Sequence, residues 1–150
     1  MPTLAAMSRV TPEDYPVRIS LPVQWGDMDA ANHVNNTVYL RWTESARLAY
    51  FQAMGMDTTF RGDEAGPILA WQDCKYVFPV TFPDTVLVGM RTIAVEEDRF
   101  RMECGMFSER HGRLVALSKQ IIVPYNFSEL HKVSIPEAWL KGIDRLETSE

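Results

Sequence analysis

Residues 26–55, GDMDAANHVNNTVYLRWTESARLAYFQAMG, decide the fold, because a polar loop turns there into the one long helical pattern of the chain. Apolar residues recur along it at spacings of three and four: Tyr39, Trp42, Ala46, Ala49 or Tyr50, and Ala53. This spacing predicts an α-helix over about residues 37–54. Gly55 is well placed to end the helix, since glycine readily takes the left-handed conformation found after helical C-termini.

The predicted helix is unusually apolar for a surface element. Its apolar residues cover more than one face: Val38, Tyr39, Leu40, Trp42, Ala46, Leu48, Ala49, Tyr50 and Phe51. A helix with a single apolar stripe can rest on a sheet, whereas a helix that is apolar over several faces has to be enclosed. We therefore expect a curved sheet to wrap around it.

Five strand patterns flank this helix. One precedes it and four follow with short turns between them: residues 17–25, 68–80, 85–95, 100–107 and 114–123. In the fourth of these, Phe100, Met102, Cys104 and Met106 alternate with their neighbours at the period of two expected of an antiparallel strand. The order of elements predicts an α+β domain with one long central helix wrapped by a five-stranded antiparallel sheet.

The ends of the chain carry weaker patterns. Residues 136–141 predict a short terminal helix, and residues 1–14 and 146–150 are expected to be loose ends. A length of 150 residues, 46% hydrophobic and 23% charged, is that of one globular domain, so residues 1–150 are expected to form a single domain.

Several classes of protein are disfavoured by composition. The first residues lack a basic segment followed by an apolar run, and no segment approaches the roughly 18 apolar residues that span a bilayer. We expect a soluble, cytoplasmic protein without a membrane partner. A net charge of -5 with dispersed Lys and Arg argues against a general nucleic-acid surface, but not against a local basic patch for a phosphorylated ligand.

Neither a metal nor another cofactor is expected. Cys74 and Cys104 lack the CxxC spacing of a zinc site and lie in apolar segments, so buried, reduced thiols are the better interpretation. His111 is expected at a hairpin tip and His131 on the surface, so a three-histidine metal centre has little support.

The polar loop before the helix can supply an anion site. The first turn of a helix has N–H groups without intrahelical acceptors, and the helix dipole adds about half a positive charge there. Asn35 can cap the helix through its side-chain oxygen and leave the amides of Asn36 and Thr37 available. The simpler alternative is that the asparagines are only caps and turn formers.

The pattern D-x-D-x-x-x-H-V-N-N-x-x-Y at residues 27–39, followed by Glu44, Ala46 and Arg47, resembles the hotdog-fold acyl-CoA thioesterases of the 4-hydroxybenzoyl-CoA thioesterase class. The later stretch PVTFPDTV is similar to the turn and strand that usually follow in that family. The resemblance implies a hotdog fold and hydrolysis of acyl-CoA thioesters to free acid and coenzyme A.

The resemblance also implies roles for particular residues. Asp29 matches the catalytic aspartate, either as a nucleophile or as a base that activates water, and the backbone amide of Asn36 is in position to polarise the thioester carbonyl. Asn32 stands where glycine is common, and asparagine tolerates positive φ better than most residues. Asn36 stands where other branches carry an aromatic residue or histidine, so a side-chain role there is not implied.

The neighbouring residues are expected to bind substrate or to shape the loop: Asp27, His33, Asn35, Tyr39 and Glu44. Asp27 is expected to bond loop amides, and His33 to shape the loop or line the site. Glu44 is a second candidate for the base, although an ion pair with Arg47 or Arg41 on one helical face is the preferred interpretation.

The family further implies a homodimer or homotetramer with the active site at the subunit interface, which agrees with the open sheet edges expected of such a fold. Four cations could meet the phosphates of coenzyme A or simply lie on solvated strand faces: Arg91, Arg99, Arg101 and Lys119. An acyl-thioester hydratase or dehydratase, and an acyl-CoA binding domain without turnover, remain as alternative functions.

Overall fold

The computed structural model describes residues 10–59 and 65–148. Its elements, in chain order, are β1 (Val17–Pro22), α1 (Asn36–Ala53), β2 (Ala65–Gln72), β3 (Lys75–Tyr76), β4 (Thr85–Val95), β5 (Phe100–Ser108), β6 (Arg113–Asn126), β7 (His131–Lys132) and α2 (Glu137–Thr148). One long helix therefore follows the first strand, as the sequence predicts.

The strands form one antiparallel sheet. The five longer strands lie in the order β1, β4, β5, β6, β2, and the two-residue strands β3 and β7 both pair with β6. The sheet curls around α1, and the predicted α+β architecture is confirmed. Strands β1 and β2 lie at its two edges.

The helix α1 begins and ends by recognisable chemistry. At its start, the side chain of Asn35 accepts a hydrogen bond from the amide of Thr37. At its end, Gly55 has a φ of 92°, its N–H donates to the carbonyl of Gln52, and the N–H of Met56 donates to the carbonyl of Phe51. These two bonds make a Schellman motif, which only a residue at ease with positive φ completes without strain.

The main core lies between α1 and the concave face of the sheet. The helix contributes large aromatic side chains, and alternate residues of β4 and β5 face them: Tyr39, Trp42, Tyr50 and Phe51 against Val86, Val88, Met90, Met102, Cys104 and Met106. The alternation predicted for β5 is therefore confirmed. Burying side chains of this size supplies most of the stabilisation of such a fold, at about 25 cal/mol for each Å² of apolar surface.

The convex face of the sheet is covered by the N-terminal residues that the structure describes. Tyr15 is buried across Gly89 and Gly105, where an added Cβ atom would lie only 2.6 Å from Tyr15 atoms. The Tyr15 hydroxyl donates to Glu103, 3.0 Å away, and Arg91 pairs with the same carboxylate at 2.6 Å. Residues 12–14 form a turn of 3-10 helix, and Val10 packs against the buried cluster that contains Tyr15. The expected loose end at residues 1–14 is therefore wrong for residues 10–14; residues 1–9 lie outside the described part.

The C-terminal helix α2 is longer than predicted. Its Glu147 accepts hydrogen bonds from the Tyr50 hydroxyl at 2.6 Å and from the Thr92 amide at 3.0 Å. These contacts hold the end of α2 against both α1 and β4. The expectation of a loose end is therefore wrong for residues 146–148, and residues 149–150 lie outside the described part.

Two predicted strands are shorter than expected for local reasons. The first stops at Pro22, after which Trp25–Asp27 forms a turn of 3-10 helix. The second is interrupted at Asp73, whose carboxylate accepts the Lys119 amide and whose carbonyl accepts the Ser118 hydroxyl. Asp73 keeps one backbone bond, from its N–H to the Lys119 carbonyl, but its other two bonds involve side chains, and β2 and β3 are separate strands on either side of it.

None of the described helices combines the length and apolar character needed to cross a bilayer. Both cysteines are free: Cys104 is buried under α1, and Cys74 is half-buried next to β3. Burial raises the pKa of both thiols, that of Cys74 to about 11, so each stays protonated and unreactive at neutral pH.

Candidate active site

The loop between β1 and α1 is a tight turn built on Asp29. The Asp29 N–H donates to the carbonyl of His33 at 3.0 Å, and the Asp29 carbonyl accepts the amide of Asn32 at 2.9 Å. Asn32 closes the turn with a φ of 62°, in the left-handed region that asparagine adopts at low cost. The asparagine at a position where glycine is common therefore keeps the backbone shape of the turn.

Neighbouring residues fix this turn to the fold. The amide of Val34 donates to the carbonyl of Val80 at 2.8 Å, and the amide of Asn35 donates to the carbonyl of Asp27 at 2.9 Å. The Asp27 carboxylate accepts the Gln24 amide at 2.8 Å. Asp27 therefore bonds loop amides, which is the contact the sequence favours for it.

A surface cleft of about 410 Å³ opens beside the turn and the start of α1. It is lined by Asp29, Ala31, His33, Val34, Asn36, Tyr39, Tyr76, Val77, Phe78 and Pro79. Four residues singled out from the sequence, Asp29, His33, Asn36 and Tyr39, thus share one cleft. Asp27 and Asn35 support the loop from outside that lining.

The carboxylate of Asp29 is exposed to the cleft and only partly engaged. Its Oδ1 accepts the amide of Ala31 at 2.9 Å, while no residue in the described ranges donates to Oδ2. One oxygen therefore orients the carboxylate and the other is free for a proton or a carbonyl carbon. The turn-forming role and a catalytic role are compatible in the same side chain.

The start of α1 offers one free amide rather than two. Asn35 Oδ1 accepts both the amide and the hydroxyl of Thr37, each at 2.9 Å, so the expectation that the Thr37 amide stays available is wrong. The Asn36 amide donates to no residue within the described part of the chain. At the N-terminus of an 18-residue helix this N–H is suited to a developing negative charge.

The opposite wall of the cleft is β3 and the residues after it. The Tyr76 hydroxyl donates to the carbonyl of Asn36 at 3.0 Å, and its ring meets that of Tyr39 edge-on, with centroids 5.0 Å apart. Burial, and then the adjacent Cys74, raise the pKa of Tyr76 to about 12, so the hydroxyl stays a donor at neutral pH. Tyr76 thereby holds the first turn of α1 against the wall.

The sequence gives no signal that separates Tyr76 from the other aromatic residues. Tyr76, Phe78, Trp42 and Trp71 are equally plausible in the sequence as pocket lining or core. In the structure, Tyr76 and Phe78 line the cleft, Trp42 is buried in the core, and Trp71 is exposed on the edge strand β2. Which of these aromatic residues line the cleft is decided by strand pairing, and that pairing depends on residues far apart in the sequence.

Glu44 lies away from this cleft. It lines a second cavity of about 330 Å³ with Arg47, Leu48, Phe51 and others between α1 and β2. The predicted ion pair with Arg47 or Arg41 is wrong, because Arg47 turns inward to donate to Gln120 at 2.9 Å and no ion pair within the described residues includes Glu44. Burial lowers the pKa of Arg47, and nearby Glu44 partly offsets that effect.

The cations considered for phosphate binding do not line the cleft either. Arg91 pairs with Glu103, Arg99 with Asp98, and Arg101 with Glu96. Lys119 lies on β6, where its amide bonds Asp73. Three of the four are therefore neutralised by carboxylates. Within the described residues, no group of three or more His, Cys, Asp or Glu could hold a metal ion.

Comparison with known proteins assigns the family. The thioesterase-like superfamily matches the chain over residues 23–143, which includes the loop, α1 and the sheet from β2 to β6. The chain therefore belongs to the thioesterase-like superfamily, and the expectation of a thioesterase is confirmed. No curated protein matches the sequence.

Solved structures of thioesterases are similar to this chain in fold. A thioesterase from Thermus thermophilus, crystallised with coenzyme A and Zn, is 30% identical, covers 92% of this chain and 98% of its own, and has a TM-score of 0.81. A thioesterase superfamily protein from Jannaschia sp. CCS1 is 24% identical, covers 98% of this chain and 92% of its own, and has a TM-score of 0.81. A mutant 4-hydroxybenzoyl CoA thioesterase complexed with 4-hydroxybenzoyl CoA is 17% identical, covers 85% of this chain and 97% of its own, and has a TM-score of 0.77. The fold of this chain is thus that of the hotdog thioesterases.

Proposed function

We propose that the protein hydrolyses acyl-CoA thioesters to a free acid and coenzyme A, with Asp29 as its catalytic carboxylate. The observation that carries this proposal is the meeting, in one cleft, of a carboxylate with a free oxygen and the unbonded first amide of a long helix. Thioester hydrolysis needs a group that attacks the carbonyl carbon or activates water, and a donor that stabilises the negative charge gained by the carbonyl oxygen; these two groups can supply both.

The reaction follows from these two groups. The thioester carbonyl oxygen accepts the Asn36 N–H, and the helix dipole stabilises the charge that develops on it. In one route, Asp29 attacks the carbonyl carbon, the C–S bond breaks, coenzyme A leaves as the thiolate, and water cleaves the resulting anhydride. In the other, Asp29 takes a proton from a water molecule that attacks the same carbon, the C–S bond breaks, and coenzyme A leaves as the thiolate, which takes up a proton.

Coenzyme A as the thiol carrier is supported by the Thermus thermophilus structure, which is the relative of 30% identity and holds coenzyme A. The more distant structures support only the fold. His33 and Tyr39 are proposed to contact the substrate or shape the loop, since both line the cleft. Glu44 is a poorer candidate for the base, because it faces a different cavity of the same chain.

We further propose that two copies of the chain associate along β2. This edge strand has β6 as its only partner among the described strands, and its free edge is flanked by exposed apolar side chains. Leu48 is 45% exposed, Leu69 36% and Trp71 50%. Exposed apolar residues beside an unpaired strand edge favour pairing with a second copy. The cavity with Glu44 lies at this edge, so a partner would cover it.

A thiol-release assay over several acyl-CoA substrates tests the activity. Release of free coenzyme A, abolished by Asp29→Asn, is the expected result. Hydration of an enoyl-CoA without thiol release would instead assign a hydratase. Tight binding of acyl-CoA without either product would assign a binding domain.

A further inference from the structure

A basic turn lies at the rim of the cleft. The hairpin between β5 and β6 carries Arg110, His111 and Arg113. Phe78, which lines the cleft, has the Arg113 guanidinium 4.5 Å from its ring centroid and the His111 ring 4.9 Å away. The turn therefore places a guanidinium and an imidazole against Phe78 of the cleft wall. Arg113 itself lines a neighbouring cavity of about 380 Å³, which shares Val77 with the cleft.

This turn is held in place before any ligand arrives. The Ser108 hydroxyl donates to Asp84 at 2.5 Å and accepts the His111 amide at 3.0 Å, while the Arg110 amide donates to the other oxygen of Asp84 at 2.9 Å. Gly112 adopts a φ of 61° and its amide donates to the Ser108 carbonyl. A site that is already ordered binds a ligand at a lower entropic cost.

The guanidinium of Arg113 is not paired with a carboxylate. The ion pairs of the described residues engage Arg91, Arg99 and Arg101, but neither Arg110 nor Arg113. Arg113 Nε donates to the Leu114 carbonyl at 3.4 Å, and no hydrogen bond within the described residues engages its other nitrogens. Because Glu109 and Asp84 balance the two arginines in overall charge, a phosphate contact here rests on the Arg113 guanidinium itself. Arginine presents a planar set of donors that matches a phosphate group.

The wall connects this charge to the reacting groups. Tyr76 bonds the carbonyl of Asn36 at one end, and Phe78 touches Arg113 at the other. The chain bends after β3, where the amides of Val77 and Phe78 both donate to the Val115 carbonyl. Tyr76 and Phe78 are therefore at most about 7 Å apart, the length of two extended residues. This short span favours the phosphate nearest to the thioester over phosphates at the far end of a coenzyme.

We propose that Arg113, assisted by His111 and Arg110, binds the phosphate at the end of the substrate's pantetheine arm, which passes along residues 76–79. The proposal rests on the proposed thioesterase function and adds the phosphate contact to it. That phosphate is common to coenzyme A and to 4′-phosphopantetheine on a carrier protein. Arg113 is here a binding residue, and the thioester itself stays at Asp29 and Asn36.

The test compares kcat/KM for three thioesters of one acyl group: acyl-CoA, acyl-4′-phosphopantetheine and acyl-pantetheine. We expect the unaltered protein to prefer both phosphorylated substrates over acyl-pantetheine. Arg113→Gln should reduce that preference on the order of tenfold, as expected for loss of one charged hydrogen bond, mainly through KM. Arg113→Lys should restore part of it.

Arg101→Gln is the matched control, because it removes the same charge from an ion pair on β5 outside the cleft lining. An equal loss of preference in both variants would overturn the proposal in favour of a general charge effect. It would also be overturned if acyl-4′-phosphopantetheine behaved like acyl-pantetheine, since Arg113 would then not bind the near phosphate. Absence of hydrolysis with all three substrates would instead contradict the proposed function.

The carrier is resolved by a fourth substrate, the same acyl group on acyl carrier protein. Turnover that depends on Arg113 as strongly as with acyl-CoA indicates that the turn binds the phosphate from either source. Sensitivity to Arg113→Gln with acyl-CoA but none with the carrier protein would overturn the assignment to the shared phosphate. Melting temperatures of all variants show that each is folded.

Discussion

Single asparagines set the geometry at the start of α1. Asn32 supplies the left-handed residue of the turn, and Asn35 uses one side-chain oxygen to bind two groups of Thr37. Because this capping oxygen occupies the Thr37 amide, the amide of Asn36 is the one left for a ligand. Three asparagines therefore have three roles: Asn32 shapes the turn, Asn35 caps the helix, and the backbone amide of Asn36 is a candidate oxyanion donor.

The cap can be tested by itself. Asn35→Ala should lower the free energy of unfolding by about 1 kcal/mol, the usual cost of losing a helix N-cap. Asn35→Asp keeps an oxygen that can accept the Thr37 amide, so it should retain most of the stability. Urea unfolding of both variants makes the comparison, and equal stability of the alanine variant and the unaltered protein would argue against the cap.

At the scale of elements, the patterns with a strong period were predicted best. The helix α1 and the strand β5 were predicted to within one residue at each end, because the spacing of their apolar residues matches the period of each element. The division of β2 from β3 was not predicted, since it depends on bonds from Asp73 to residues about 45 positions away. Partners this far apart in the chain cannot be identified from the neighbouring sequence.

The predicted C-terminal helix ends at residue 141, just before Gly142, a residue of low helix propensity. In the structure, Gly142 lies against the Met54 carbonyl, so closely that an added Cβ atom would overlap it. The glycine is therefore required by the packing of α2 at the end of α1. Its low helix propensity is outweighed by the contact it permits.

Gly142→Ala tests this balance. Helix propensity alone would stabilise the variant by about 1 kcal/mol. We expect net destabilisation of about 1–2 kcal/mol instead, because the methyl group meets backbone that cannot easily move. Asp144→Ala, at an exposed position of the same helix, is the control and should change stability little. A stabilised Gly142 variant in chemical unfolding would contradict the packing account.

A second contact of α2 is polar. The Tyr50 hydroxyl donates to Glu147 and accepts from the Thr92 hydroxyl in a largely buried setting. Tyr50→Phe leaves the ring in place but deprives both partners of a bond, which typically costs about 1–3 kcal/mol. Hydrogen exchange should quicken in α2 before it quickens in β5. Unchanged protection of α2 would show that these bonds do not hold it.

At the scale of the whole molecule, the sequence predicted one layer of the fold and missed the other. The helix-facing core follows from periodicity. The cover on the convex face depends on Tyr15 packing over Gly89 and Gly105, which face each other on β4 and β5. Two glycines far apart in sequence give no signal until the strands are paired. The convex face of the sheet is thus partly covered by the same chain.

Association is therefore expected at the β2 edge. We expect sedimentation at micromolar concentration to give a mass of at least twice 17.1 kDa. Trp71→Asp places a charge on the exposed edge and should shift the protein toward monomer. Leu130→Asp, which alters a more exposed apolar side chain at the β6–β7 turn, is the control and should leave the mass unchanged. A fully active monomer would contradict the interface.

The candidate site was predictable in part. The residues of the loop follow from the pattern at residues 27–39, because loop and helix start are local in sequence. The wall opposite, formed by Tyr76 and Phe78, and the basic turn beside it depend on strand pairing. The roles of Asp29 and Asn36, and the cytoplasmic location, stay predictions.

The central claim is that Asp29 carries out the chemistry while Asp27 shapes the loop. Steady-state kinetics of Asp29→Asn and Asp27→Asn with one acyl-CoA test it most directly. Asp29→Asn should lower kcat on the order of a hundredfold or more with an unchanged melting temperature, as expected for loss of a nucleophile or base. Asp27→Asn should mainly lower the melting temperature. Near-normal turnover by the Asp29 variant, with a collapse of kcat in Glu44→Gln, would contradict the account.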